Sequence, residues 1–212
     1  TISDNTAASS GGGVYTKGFF TVNSGTISSN AAIYGGGVYT TAAFTMNGGS
    51  FIGNKVSWDG GGVYNRGTFT MNNGTILENR ANKDGGGVFN EGVFKMQGGS
   101  TITGNRKGIS ESAALNNAYL VTGKPITLTG ALNGDIGVTM QTYGTAALGS
   151  PAPAYALTQS DTYRFTPDEN RYASHLDSVN NAIKISLLPV MGSLSAPAFV
   201  TAGNELAVTA PI

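Results

Sequence analysis

The 212-residue chain contains no cysteine. Disulfides are therefore excluded, as is any metal or redox site built on thiolates. Charge is scarce too: charged residues make up 11%, and the 12 basic residues cancel the 12 acidic ones. There is no basic stripe, so the electrostatic attraction that drives nucleic-acid binding is missing. Attraction to an anionic membrane surface is missing for the same reason. No apolar run is long enough to cross a bilayer as a helix, and no direct membrane insertion is expected of this segment. Histidine and tryptophan occur once each, as His175 and Trp58. No window sustains a 3.6-residue apolar period, so amphipathic helices are not expected either.

What the chain has in excess is glycine, 32 residues, and the glycines recur in order. GGGVY opens at Gly11, Gly35 and Gly60, and GGGVF opens at Gly85, in steps of 24, 25 and 25 residues. A fixed period in the twenties is the signature of a stacked architecture. A second motif follows the first in each copy: an apolar residue, two variable residues, then Asn. It reads ISDN at Ile2, ISSN at Ile27, FIGN at Phe51, ILEN at Ile76 and ITGN at Ile102. The first Gly and the apolar residue lie 16 apart in three copies and 17 apart in the fourth, which predicts a bulge or a wider corner there.

Between the motifs, apolar and polar residues alternate, as in Phe69 and Met71 among Thr68, Thr70 and Asn72. This period of two, broken by Gly and Asn, predicts short strands and turns. Aligning the copies gives inward columns: Val14, Val38, Val63, Val88; Phe20, Phe44, Phe69, Phe94; Val22, Met46, Met71, Met96; Ile27, Phe51, Ile76, Ile102. One such coil cannot bury its own apolar face, but stacked copies about 4.8 Å apart can. The column Asn30, Asn54, Asn79, Asn105 fits a corner ladder in which each side-chain amide bonds the next coil. Asn also tolerates the left-handed backbone that corners need. The glycine triplets fit a corner too tight for a Cβ. The fold class expected is all-β: a right-handed parallel β-helix (β-solenoid) of about 25-residue coils, closed by an irregular C-terminal β cap.

GGGVY alternating with FIGN, ISSN, ILEN and ITGN resembles the repeats of bacterial surface proteins built on the parallel β-helix. It is most similar to the polymorphic outer-membrane-protein type, which pairs a GGA-plus-aliphatic motif with FxxN. Gly stands here where that family has Ala, so a broader class of adhesin-like β-helix proteins fits equally. The resemblance covers roughly residues 1–108, about half of the chain. It implies an extracellular or cell-surface location and a structural or adhesive role. Low charge with abundant Gly, Thr, Asn and Ser agrees with that. The partners implied are host or environmental glycans or surface proteins, and the segment is expected to be monomeric.

Along the chain, residues 1–117 read as regular coils. The chain opens in mid-unit, since TISDN at Thr1 aligns with TISSN at Thr26, and so reads as a segment of a longer protein. Residues 118–188 read as irregular coils and a capping β region, with strands expected at 118–121, 126–132 and 136–140. Within that region, 144–154 is expected to be a loop. Residues 158–165 are expected to form a short helix, with Thr158 as N-cap and Asp161 at the third helical position. A closing hairpin is expected from 172–176 and 182–188 around 177–181. Residues 189–212 read as a linker and the start of a further domain, similar to the entry of bacterial Ig-like repeats.

No residues are assigned a catalytic role. The β-helix also carries polysaccharide lyases and hydrolases, so an enzyme of that kind is the alternative reading. Glycoside hydrolysis needs paired carboxylates at a defined separation. Asp59 and Asp84 would stack one coil apart and could share a cation, but Ser10 and Tyr34 fill the same column and no third acid joins them. They are the only metal candidates, and solvated acids at a corner describe them better. Glu78 and Glu91 are single acids in variable slots. His175 has no nucleophile beside it and reads as an outward residue of the capping hairpin. The GGG triplets lack the GK[ST] of a phosphate loop and the Asp of calcium-binding nonapeptides. No cofactor is expected. The outward column Tyr15, Tyr39, Tyr64, Phe89, with Trp58 and Tyr34 at a nearby corner, is the candidate ligand surface. Tyr15, Tyr39, Tyr64 and Trp58 could stack on sugar rings, or the rings could pack on one another as a stabilising ladder. The carbohydrate-module reading requires Tyr39 and Tyr64 to be exposed side by side.

Overall fold

A computed structural model describes residues 1–108, 110, 113–142, 147–148, 156–177 and 181–188. The repeats fold into a parallel β-solenoid. Each coil contributes a GGGVY-type strand: Val14–Thr16, Val38–Thr40, Val63–Asn65 and Val88–Asn90, with Ala118–Leu120 continuing the row. A second sheet stacks Phe20–Val22, Ala43–Met46, Thr68–Met71, Val93–Gly98 and Ile126–Leu132. A third row stacks Ile2–Ser3, Thr26–Ser28, Ser50–Ile52, Thr75–Leu77 and Thr101–Thr103. Short strands Ala31–Ala32, Lys55–Val56, Arg80–Ala81 and Arg106–Lys107 follow each Asn corner.

Pairing is in register, so like meets like. Val38, Val63 and Val88 are mutual partners, as are Phe44, Phe69 and Phe94. All six side chains are fully buried, with Met46, Met71, Met96, Phe51, Ile76 and Ile102 beside them. The Phe rings stack at 4.7 and 4.8 Å between centroids, matching the strand spacing. The sequence period thus becomes a continuous apolar interior, and burial of these columns is the main stabilising term.

The glycine corner works as expected. Gly60 sits at φ +74°, where an L side chain is strained. At Gly36 a Cβ would lie 2.6 Å from the Gly61 carbonyl oxygen of the next coil. The Asn corner differs from expectation in one respect. The left-handed residue is the one before each Asn: Asp4, Ser29, Gly53, Glu78 and Gly104, at φ between +56° and +67°. That residue turns the chain, which leaves the Asn free to point inward. The extra residue of the fourth copy widens its corner. Gly98 takes φ +62°, and the buried Ser100 hydroxyl donates to the carbonyls of Met71 and Gln97.

At the C-terminal end the three expected strands appear as Ala118–Leu120, Ile126–Leu132 and Ile136–Met140. Ile136–Met140 pairs with Ile102 on one side of the coil and with Ala118–Leu120 on the other, so it closes two rows with one strand. Phe165–Pro167 then covers it. The short helix is Gln159–Thr162, ended early because Phe165 is drawn into that sheet. The Asp161 carboxylate accepts from the Thr158 backbone N–H at 2.7 Å, the reach expected of the third helical position. Tyr172–Asp177 and Ala182–Leu187 form the antiparallel hairpin. Ala147–Leu148, expected as loop, instead pairs with Ile183 and Lys184 at the hairpin's edge, which offers unpaired backbone groups. The rest of that loop, and the linker with its following domain at 189–212, lie outside the described residues.

Candidate functional site

The structure is built around an amide ladder at the Asn corner. Asn5 donates its backbone N–H and its Nδ2 to the Oδ1 of Asn30, at 3.0 and 2.9 Å. Asn30 does the same to Asn54, Asn54 to Asn79, and Asn79 to Asn105. Each Nδ2 from Asn30 onward also donates to an apolar-column carbonyl of the coil before, as Asn79 does to Phe51 at 2.9 Å. From Asn30 to Asn105 these side chains are buried. The amide-to-amide bonds therefore all run toward the C-terminal end, while the second Nδ2 hydrogen ties each Asn back to the coil before. Asn105 donates in the same way to Asn117, only 12 residues away because Arg106–Lys107 pairs antiparallel with Ala114–Leu115 and the chain doubles back instead of completing a coil. Asn117 in turn donates to the carboxylate of Asp168, which also takes the Thr139 hydroxyl at 2.8 Å. Burial pushes the Asp168 carboxyl above its ordinary value, while the bonds from Asn117 and Thr139 pull it back down.

The second arrangement is a groove beside the GGGVY strands. Alternation places Tyr15, Tyr39, Tyr64 and Phe89 on the outer side of those strands. Their rings are stacked on one another, with centroids 5.2, 5.1 and 4.9 Å apart, and Tyr119 adds a fifth ring at 5.2 Å. Exposure falls steeply along the stack: Tyr15 is 48% exposed, Tyr39 half-buried and Tyr64 only 8% exposed. Tyr39 and Tyr64 are side by side, but Tyr64 is buried, so the column is a stacked ladder and does not meet the condition that both rings be exposed to take a sugar on their faces. Their faces are consumed by stacking, and their edges form the floor of the groove.

One wall of the groove is the corner before the glycines. Tyr34 meets Tyr64 edge-on at 5.5 Å and Trp58 at a tilt at 5.8 Å. Trp58 is 44% exposed, and the Lys83 ammonium sits 3.3 Å from its ring centroid. The other wall is Arg66 and Glu91, paired at 3.1 Å, with Arg66 also reaching the Tyr39 hydroxyl at 3.5 Å. Burial raises the Tyr64 phenol well above its usual range, and the nearby Glu91 charge and hydrogen bond add to the effect. The space enclosed is ≈ 340 Å³, lined by these residues with Asp59 and Phe89.

Asp59 and Asp84 do stack one coil apart, but they do not converge on a shared cation position. Asp59 Oδ1 accepts the Asp84 backbone N–H at 2.9 Å, and Asp84 Oδ1 pairs with Lys107 at 2.7 Å. Among the described residues no three His, Asp or Glu side chains are placed to hold a metal ion. Burial raises the Asp59 carboxyl, partly offset by that backbone bond. Glu78 is exposed at its corner. His175 is exposed on the hairpin, 3.4 Å from the Ser186 hydroxyl and remote in the chain from the groove.

The groove thus joins three of the four expected ligand residues, Tyr39, Tyr64 and Trp58, and leaves Tyr15 at the open end of the stack. Sequence reading missed Arg66 and took Glu91 as an isolated acid. Their signal was positional: Lys17, Thr41, Arg66 and Glu91 form the column just past the aromatic one, and it changes character in the coils that hold Trp58 and Asp59. Asp168 lies outside the repeats, where no column announces it.

A repeat model described as the Chlamydia polymorphic membrane protein repeat matches residues 1–17. No curated protein and no solved structure matches the chain. Together with the stacked coils, the repeat match makes this a parallel β-helix repeat protein similar to the polymorphic outer-membrane-protein type.

Proposed function

We propose that this chain is a structural and adhesive segment of a bacterial cell-surface or secreted protein, with no reaction of its own. The observation that carries the reading is the amide ladder from Asn5 to Asp168, which ties every coil to the next through buried hydrogen bonds. Such a stack is a rigid rod whose outer columns are free to vary from coil to coil. The polymorphic membrane protein repeat at residues 1–17 supports placement at a cell surface. The two acids best placed to act together, Asp59 and Asp84, are engaged with a backbone amide and a lysine, which speaks against paired-carboxylate hydrolysis.

The test is adherence without turnover. Beads carrying the chain are applied to plant, mucin and bacterial-envelope polysaccharide surfaces, and reducing ends and unsaturated sugars are assayed in the same wells. Retention of the beads with no released product is the expected result. Product release would overturn the non-enzymatic reading, and beads that adhere to none of the surfaces would overturn the adhesive one.

A further inference from the structure

We infer that the groove between Trp58 and Arg66 is a binding site for a neutral saccharide; this deepens the adhesive reading and rests on it. Stacking explains why like residues recur in a column. It does not explain residues that break columns. Trp58 follows Ile33 and precedes Lys83, and Arg66 follows Thr41 and precedes Glu91; Asp59 follows Tyr34 but is matched by Asp84 in the next coil. Trp58, Asp59, Arg66 and Glu91 all line one groove, over a floor of tyrosine edges.

Its chemistry selects among ligands. A cation would seek an aromatic face, but the Tyr39, Tyr64 and Phe89 faces are taken by one another. The chain's own Lys83 ammonium already occupies the cation position over Trp58. An anion would meet Asp59 and Glu91, and the one guanidinium on the rim, Arg66, is committed to Glu91. What remains is a neutral ligand with an apolar face and many hydroxyls. The exposed lysine swings aside and an apolar sugar face replaces it on the Trp58 ring. The Tyr34 and Tyr39 hydroxyls, the Asp59 carboxylate and the Arg66–Glu91 pair then meet the sugar hydroxyls around it. The volume, ≈ 340 Å³, is at the lower end of the ~300–1,000 Å³ of small-ligand sites. One or two sugar rings of a longer chain fit that space.

The experiment is affinity electrophoresis in gels containing either neutral polymers (dextran, laminarin, mannan, xyloglucan) or anionic ones (heparin, polygalacturonate). Wild type is run beside Trp58→Ala and Asp59→Asn, each checked by circular dichroism for an unchanged fold. The expected result is retardation by at least one neutral polymer and by no anionic one. Trp58→Ala should weaken it about tenfold or more, as truncating an aromatic anchor does. Retardation by anionic polymers alone, retardation that Trp58→Ala leaves intact, or no retardation at all would each overturn the assignment. The bead assay separates the two levels. Beads that adhere equally well with Trp58→Ala discard the groove and keep the adhesive reading; beads that never adhere discard that reading itself.

Discussion

Asn117 gives both of its ladder donors to Asp168: the backbone N–H to Oδ2 at 2.7 Å and Nδ2 to Oδ1 at 2.6 Å. Elsewhere in the ladder one amide oxygen accepts both donors, as Asn79 does for Asn54. The terminal position uses a carboxylate instead. A carboxylate only accepts, so nothing beyond it needs a partner. An acceptor-only end suits a row whose amide-to-amide bonds all run that way.

Replacing Asp168 by Ala leaves two donors of the buried Asn117 without a partner. At ~1–3 kcal/mol for each unsatisfied group, the loss is about 2–6 kcal/mol. Asp168→Asn keeps an oxygen that can accept both donors in the manner of Asn79, and costs much less. Urea denaturation of the two variants separates them. Equal losses would mean that the charge, not the acceptor geometry, closes the ladder.

The same burial that raises Asp168 and Asp59 has a consequence for pH. A carboxyl whose native pKa lies above its unfolded value binds its proton more tightly in the native state. Its contribution to stability therefore grows as pH falls through the raised native value toward the unfolded ~3.9, and is unfavourable above that window. Thermal denaturation from pH 7 toward pH 4 should give a wild-type Tm that rises relative to that of Asp59→Asn, which cannot titrate. A Tm difference independent of pH would show that burial does not raise Asp59.

The regular coils were legible in the sequence because stacking writes itself as columns. Val38, Phe44, Met46 and Phe51 each find their counterpart one period away, and each is buried. The corner was harder to read. The expectation that Asn takes the left-handed turn was reasonable by residue type, but Ser29 and Glu78 take it, because the buried ladder needs the Asn side chain more. The groove was half legible: the aromatic column stood out, but its rings turned out to spend their faces on one another. Asp168 was invisible, since its role depends on where a non-repeating segment folds back over Asn117.

Burial, not the hydrogen bond itself, should decide what an amide ladder contributes. Asn79 is 1% exposed and accepts two donors from Asn54 while donating to Phe51 and Asn105. Asn79→Ala strands several of these groups at once and should cost about 3–5 kcal/mol. Asn72 also lies in a ladder, donating to Asn47 at 2.8 Å, but on the exposed surface. There water replaces the lost partner, and Asn72→Ala should stay within ~1 kcal/mol. Chemical denaturation of the pair is the check, and comparable losses would contradict the argument.

Gly53 and Gly36 are both corner glycines, yet they should respond differently to a methyl group. Gly53 turns at φ +65° with open space where a Cβ would go. Its counterparts Ser29 and Glu78 carry side chains at the same turn, at φ +56° and +57°. Gly53→Ala should therefore cost only the left-handed strain, ~1–2 kcal/mol, and Gly53→Asn less, since Asn visits that region more readily. At Gly36 a Cβ would sit 2.6 Å from the Gly61 oxygen and 3.0 Å from both the backbone nitrogen and oxygen of Lys55. None of these is a flexible side-chain end, so relief requires moving neighbouring coils apart and weakening the sheet. Gly36→Ala should lower the unfolding midpoint well beyond Gly53→Ala. The reverse order would mean that backbone conformation, and not the closeness of the coils, is what keeps glycine in the triplet.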